Sequence, residues 1–286
     1  MSQADSNQRF LFEQTEVRGE LTQLGDTLAA IKERHDYPAN VMQVLGEFVA
    51  AVSLLAARVK VDGSIILQAQ GEGQINMLMA EIVDHKNIRA IARFENDIDQ
   101  SQPLLSKGRL AITIEPYIGQ RYQGIVELQK DNVAGALEDY FERSEQLKTR
   151  IWLASDGNRA GGLLLQALPH AAEESSLQRQ DTDAWDRLVH LADTVKQEEL
   201  LELNSEELLF RLYHEEQIKV YEPTDLQFNC SCSKARVARA ITQLGETEAR
   251  EIVAEQGAIE ADCQFCRHVY RFNNDDLDEM FDSSRH

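Results

Sequence analysis

The chain has 286 residues and a mass of 32.4 kDa, enough for one large domain or two smaller ones around a substantial core. Acidic side chains outnumber basic ones 49 to 29, and the formal charge of -20 repels nucleic acid and anionic membrane surfaces, which argues against both as partners. The longest apolar run, residues 49–57, is too short to span a bilayer, and the opening MSQADSNQ lacks the basic and apolar regions of a secretion signal, so a cytoplasmic protein with reduced cysteines is expected.

Residues 9–13 read as a first strand, and Leu21, Leu24, Leu28 and Ile31 recur at three and four residues, which predicts an amphipathic helix. After Pro38 and Asn40, the positions Val41, Val44, Leu45, Phe48, Val52, Leu55 and Val59 predict a helix apolar on much of its circumference and therefore buried across a sheet. Strands are predicted at residues 64–70, 76–83, 88–94 and 109–115, punctuated by turns at Gly71, Gly73, Gly108 and Pro116. Gly71-Glu72-Gly73 has no following Gly-Lys-Ser/Thr and reads as a hairpin turn, not as a phosphate loop. Gly119 to Gly124, GQRYQG, leads into a strand at residues 125–128, a helix follows at 134–146, and strands at 150–154 and 162–168 resume the sheet. No serine, histidine and carboxylate arrangement suggests nucleophilic catalysis, and the seven histidines form no metalloprotease pair. The large domain is expected to be non-catalytic.

After Pro169 the character changes. Residues 171–227 carry fifteen acidic and five basic side chains, a net of -10. Trp185, Leu188, Leu191, Ala192 and Val195 keep helical spacing, and Asn204 or Ser205 caps a second helix through Leu208, Leu209 and Leu212. Two readings stay open: an ordinary helical connector, or a segment whose apolar stripe rests on the large domain and can be released.

The four cysteines, Cys230, Cys232, Cys263 and Cys266, fall into two close pairs. C-x-C puts two side chains on one face of an extended strand, and C-x-x-C brings two sulfurs together at a hairpin turn. Four thiolates at about 2.3 Å make a closed structural zinc shell with no position open for substrate water, so one zinc per chain is expected and hydrolytic chemistry is not. Four free buried cysteines or a static disulfide pair are the alternatives. His268 could be a ligand, but the thiols already fill the shell. Short helices at 237–244 and 247–256, a hairpin of 259–263 with 268–272 and a last helix at 275–281 complete a unit whose core is marginal without metal. From residue 228 onward seven basic residues face eleven acidic ones, which argues against a nucleic-acid finger. The expected class is α+β: a mixed sheet-and-helix domain over residues 1–170, an acidic helical linker over 171–227 and a small four-cysteine zinc domain over 228–286.

N-C-S-C-S at residues 229–233, D-C-Q-F-C at 262–266, and the stretches IEPYIGQRYQGIVEL and LEDYFERSEQLKTR give the chain a resemblance, over essentially its full length, to the heat-shock protein 33 family of redox-regulated cytosolic holdase chaperones. The resemblance implies a reduced, zinc-loaded, inactive state that oxidation converts, without ATP, into a chaperone for unfolded or partly folded client proteins. Within it, Cys230 would pair with Cys232 and Cys263 with Cys266 on oxidation, and the active form would be a homodimer. A thiol-disulfide oxidoreductase would also use C-x-x-C, normally at a helix start. A zinc-ribbon adaptor would bind a constant partner whatever its oxidation state.

Overall fold

Backbone contacts divide the chain into two units, Met1–Phe228 and Asn229–His286. The structure is a computed structural model and describes residues 4–13, 15–58, 62–95, 97–99, 101–128, 132–168 and 183–282. The first part of the acidic segment, residues 169–182, therefore lies outside the described residues, as does Val59.

In chain order the first unit runs β1 (Ser6–Phe12), β2 (Val17–Leu24), α1 (Asp26–Lys32), α2 (Ala39–Ala56), β3 (Gly63–Gly71), β4 (Ile75–Val83), β5 (Asn87–Phe94), β6 (Gly108–Pro116), β7 (Tyr122–Leu128), α3 (Val133–Tyr140), β8 (Thr149–Ser155) and β9 (Ala160–Ala167). It continues with α4 (Ala184–Ala192), α5 (Gln197–Glu202), α6 (Ser205–Tyr213), β10 (Ile218–Val220), β11 (Thr224–Asp225) and β12 (Gln227–Phe228). One sheet has the order β10-β1-β2-β9-β8, with β11 also on β1, and the other β12-β5-β4-β3-β6-β7. The strands expected to resume a single sheet after residue 150 instead join β2, β9 pairing with it directly and β8 with β9, and make a second sheet.

Helix α2 is the centre of this arrangement. Its eighteen residues carry a single charge, Glu47, and a helix apolar all round is stable only when buried. It packs on β2, β8 and β9 on one side and on β3, β4 and β5 on the other. A Cβ at Gly46 would come within 2.2 Å of the Ser155 hydroxyl, so glycine lets helix and sheet approach this closely. Among the described residues α2 is the helix long and apolar enough to cross a membrane, yet 72% of it is buried inside the fold; it is a core helix.

A second core lies on the far side of the first sheet. Leu188, Ala192, Leu200, Leu208, Leu212 and Tyr213 of α4, α5 and α6 pack on Phe10, Phe12, Leu21, Leu163 and Leu165. The Tyr213 ring meets Phe12 edge-on at 4.9 Å. The Asn204 side chain accepts from the Glu207 amide at 2.9 Å, fixing the start of α6, and the acidic residues of these helices face outward.

This two-sided burial overturns the helix expected from Leu21. Leu21 and Leu24 belong to β2, Leu21 facing the α4–α6 core and Leu24 the α2 core. A strand buried on both faces has no period of two to read, and the helix begins only at Asp26. The helix expected over residues 134–146 has nearly that extent: α3 ends at Tyr140, a π turn continues it over Phe141–Glu145, and Gln146, left-handed with φ 56°, closes it.

Between the first sheet and α2, Glu20 is 4% exposed and its Oε2 has no hydrogen-bond partner. Burial, opposed by the nearby Arg9 and Arg18 charges, pushes its carboxyl up to about 8. An acid whose folded pKa exceeds its unfolded value destabilises the fold increasingly as pH rises from the unfolded pKa to the folded one. Glu20→Gln is therefore expected to flatten the loss of stability between pH 5 and pH 8, a difference on the order of a few kcal/mol. Denaturant melts at the two pH values check this, and parallel slopes in wild type and variant would count against it.

Candidate metal centre

The second unit is built from α7 (Lys234–Leu244), α8 (Glu246–Gln256), β13 (Ile259–Asp262), β14 (Val269–Phe272) and α9 (Asn274–Asp282). These follow the sequence expectations closely. Among the described residues its buried apolar set is Ile241, Ala249, Val253, Ala258, Ile259, Phe272, Leu277 and Phe281, small for independent stability.

β13 and β14 pair antiparallel from Ile259↔Phe272 to Asp262↔Val269. Their turn is the C-x-x-C segment. The Cys263 amide donates to the His268 carbonyl at 2.9 Å and the Arg267 amide to the Cys263 carbonyl at 2.8 Å, with Arg267 at φ 59°. This tight loop turns the sulfurs of Cys263 and Cys266 to one point. The first pair approaches differently from expectation, because residues 229–233 pair with no strand. Cys230 and Cys232 instead precede α7, whose first turn is capped by the Ser233 hydroxyl accepting from the Arg236 amide at 3.2 Å. The cap and the Arg236 guanidinium, which donates to the Ser231 carbonyl at 3.1 Å and hydroxyl at 2.9 Å, help hold this segment.

All four sulfurs lie within 4.8 Å of one another. Cys230 Sγ is 3.6 Å from Cys263 Sγ, and Cys232 Sγ is 3.4 Å from Cys266 Sγ. Four thiolates at about 2.3 Å from one ion stand about 3.8 Å apart along the edges of their tetrahedron. The cluster fits such an ion in donor type, number and spacing. Both of these approaches join one cysteine of each pair, as expected when two pairs interlock.

The protonation energetics agree. Burial raises the Cys263 thiol, but the amides of Cys266 and Phe265 that point at its sulfur outweigh this and bring it below the ordinary thiol value. Burial and contact with the neighbouring sulfurs push Cys266 up to about 12, against an opposing backbone bond from His268. Sulfurs this close cannot all ionise unaided, and a shared cation removes that restriction.

The sequence reading did not anticipate Tyr270, whose hydroxyl donates to Cys232 Sγ at 3.1 Å. That bond, with burial and the adjacent sulfurs, pushes the phenol up to about 12. Such a donor beside a ligand sulfur orients it, and its one sequence signal is its place in the short strand that follows C-x-x-C. His268 stands outside the sulfur cluster and meets the Tyr270 ring edge-on at 4.5 Å.

Comparison with known proteins fits this site and fold. The family described as Hsp33 protein matches residues 5–273, all four cysteines included. The chain is 46% identical over 288 residues to the 33 kDa chaperonin of Azotobacter vinelandii, covering 98% of this chain and 96% of that one. The chain belongs to the Hsp33 family. The 33 kDa chaperonin of Ectopseudomonas mendocina is 45% identical over 283 residues, with 97% and 95% covered. The Hsp33 fold extends to the crystal structure of the 33 kDa chaperonin from Thermotoga maritima, with a TM-score of 0.81 at 19% identity over 98% of this chain and 99% of that one. Within this Hsp33 chain the family-like stretch IEPYIGQRYQGIVEL forms the β6–β7 hairpin, where Tyr117, Ile118, Tyr122 and Ile125 are exposed.

Proposed function

We propose that this chain is a redox-regulated, ATP-independent holdase of the cytoplasm, silent when reduced and able to bind unfolding proteins when oxidised. The observation that carries the reading is the cluster of four sulfurs within 4.8 Å, since the same thiolates that suit a metal are the groups oxidants attack. Cys230, Cys232, Cys263 and Cys266 would hold one zinc ion, which when bound supplies most of the stability of the small unit. On oxidation Cys230 would pair with Cys232 and Cys263 with Cys266. In each pair two thiolates give up two electrons to an oxidant such as a peroxide, which is reduced to water. The ligand set is thereby lost and residues 228–286 lose their main stabilisation.

The covering layer of α4–α6 supports the second half of the reading. Residues 171–227 form the linker of this proposal, between a chaperone core over 1–170 and the switch domain. Only Asn229 separates β12 from Cys230 in sequence, so loss of order after residue 229 reaches the end of that linker directly. Release of α4–α6 would uncover Phe10, Phe12, Leu163 and Leu165, apolar side chains now buried against them, and exposed apolar patches capture other apolar segments. The formal charge of -20 would keep the loaded complex, as monomer or oxidised homodimer, in solution. An oxidoreductase reading is disfavoured by the C-x-x-C position in a β-hairpin, because the redox-active form of that motif sits at a helix start.

Light scattering of a thermally unfolding client tests the proposal. Peroxide-treated protein is expected to suppress aggregation and the reduced protein is not. Equal suppression by both forms, or by neither, would contradict it.

A further inference from the structure

Where the end of α2 meets the open corner between the two sheets, a cavity of about 190 Å³ lies among Leu55, Ile65, Ile112, Ile114 and Phe141, with Arg18 and Arg58 at its polar end. At roughly 30 Å³ for each water-sized group it holds about six such groups. The two guanidiniums converge on one neutral acceptor. Gln166, fully buried, donates its amide to Thr149 Oγ1 at 2.7 Å, which turns its Oε1 toward the arginines. Arg18 Nη2 donates to that oxygen at 3.1 Å, and Arg58 Nη2 bonds to the same atom.

This arrangement is electrostatically incomplete. Arg18 Nε and Arg58 Nη1 are buried with no hydrogen-bond partner, and among the described residues neither guanidinium makes an ion pair. The carboxylate at the cavity wall, Glu145, accepts from the Tyr140 hydroxyl at 2.9 Å. Glu20, two residues from Arg18 on the same strand face, is held mostly un-ionised at neutral pH by its burial. Two like charges drawn together on a neutral amide, with donors removed from water, are costly unless an anion completes the set. In a chain of net charge -20, carboxylates to pair with them were abundant.

We infer that this cavity binds an amphiphilic organic anion, its oxyanion head shared by Arg18 and Arg58 and a short aliphatic tail lying on the wall of Leu55, Ile65, Ile112 and Phe141. Nothing in this depends on the redox chemistry of the cysteines. Planar guanidiniums suit a carboxylate or a phosphate ester equally, and the apolar wall discriminates tailed anions from bare ones.

Titration calorimetry of the reduced, full-length protein with hexanoate, inorganic phosphate and 1-hexanol separates the contributions. Hexanoate is expected to bind at least tenfold more tightly than either of the others, and Arg58→Met to weaken it at least tenfold. Gln166→Glu guards against a folding defect, because it installs a carboxylate between the arginines. It should raise the melting temperature of the ligand-free protein and abolish hexanoate binding. Hexanol binding as tightly as hexanoate, no hexanoate binding at millimolar concentration, or hexanoate binding retained in Gln166→Glu would each overturn the inference.

Discussion

Replacing Cys232 or Cys266 with serine will lower zinc affinity by several orders of magnitude and unfold residues 229–286 while the two sheets and α2 of the first unit stay folded. A structural zinc site contributes about 10–16 kcal/mol of apparent binding energy in small finger peptides. Eight buried apolar residues in a unit of fewer than sixty cannot replace that contribution. Serine keeps the side-chain volume but stays protonated at neutral pH and is a poor zinc donor, so one substitution removes a ligand without opening a cavity. Metal content by mass spectrometry and amide dispersion by NMR read the two effects separately. Equally tight, stoichiometric zinc in a variant lacking all four cysteines would refute the assignment.

Full oxidation will increase proteolysis within residues 184–213 at least tenfold while the sheets of the first unit remain resistant. The reason is length. Helices α4, α5 and α6 have nine, six and nine residues, below the ~12–15 that a helix needs to persist alone in water. Their stability is borrowed from packing on Phe10, Phe12, Leu163 and Leu165, so they are held together or lost together. The sheets keep the separate α2 core. Limited trypsin digestion offers Arg187, Lys196 and Arg211 as reporters, and unchanged cleavage there after complete zinc loss would break the proposed coupling.

The parts of this molecule that were legible in the sequence are those with a short physical cause. Four cysteines in two pairs declare a shared site through thiolate chemistry alone, and the structure brings their sulfurs together. The apolar circumference of α2 declares its burial. Leu21 and Leu24 misled because β2 is buried on both faces, which erases the alternation that marks a strand. The division into two sheets was hidden for a related reason: β2 reaches β9 across more than a hundred residues of sequence, and pairing partners leave no local trace. Tyr270 was missed because a ring on a short strand looks like core until its hydroxyl is seen beside Cys232 Sγ. C-x-C was expected on a strand, and residues 229–233 instead pair with none and lead into the helix that Ser233 caps.

The central claim is that ligation by four thiolates is what holds the protein silent, and its most direct test is reversal. Oxidised protein is reduced with a dithiol in the presence of zinc or of a chelator, and client protection is followed in each. Reduction with zinc should abolish protection, because four thiolates regain their shared ion and the small unit refolds. Reduction under the chelator should leave a substantial part of the protection. Protection that persists after reduction with zinc, or that vanishes completely under the chelator, would contradict the account.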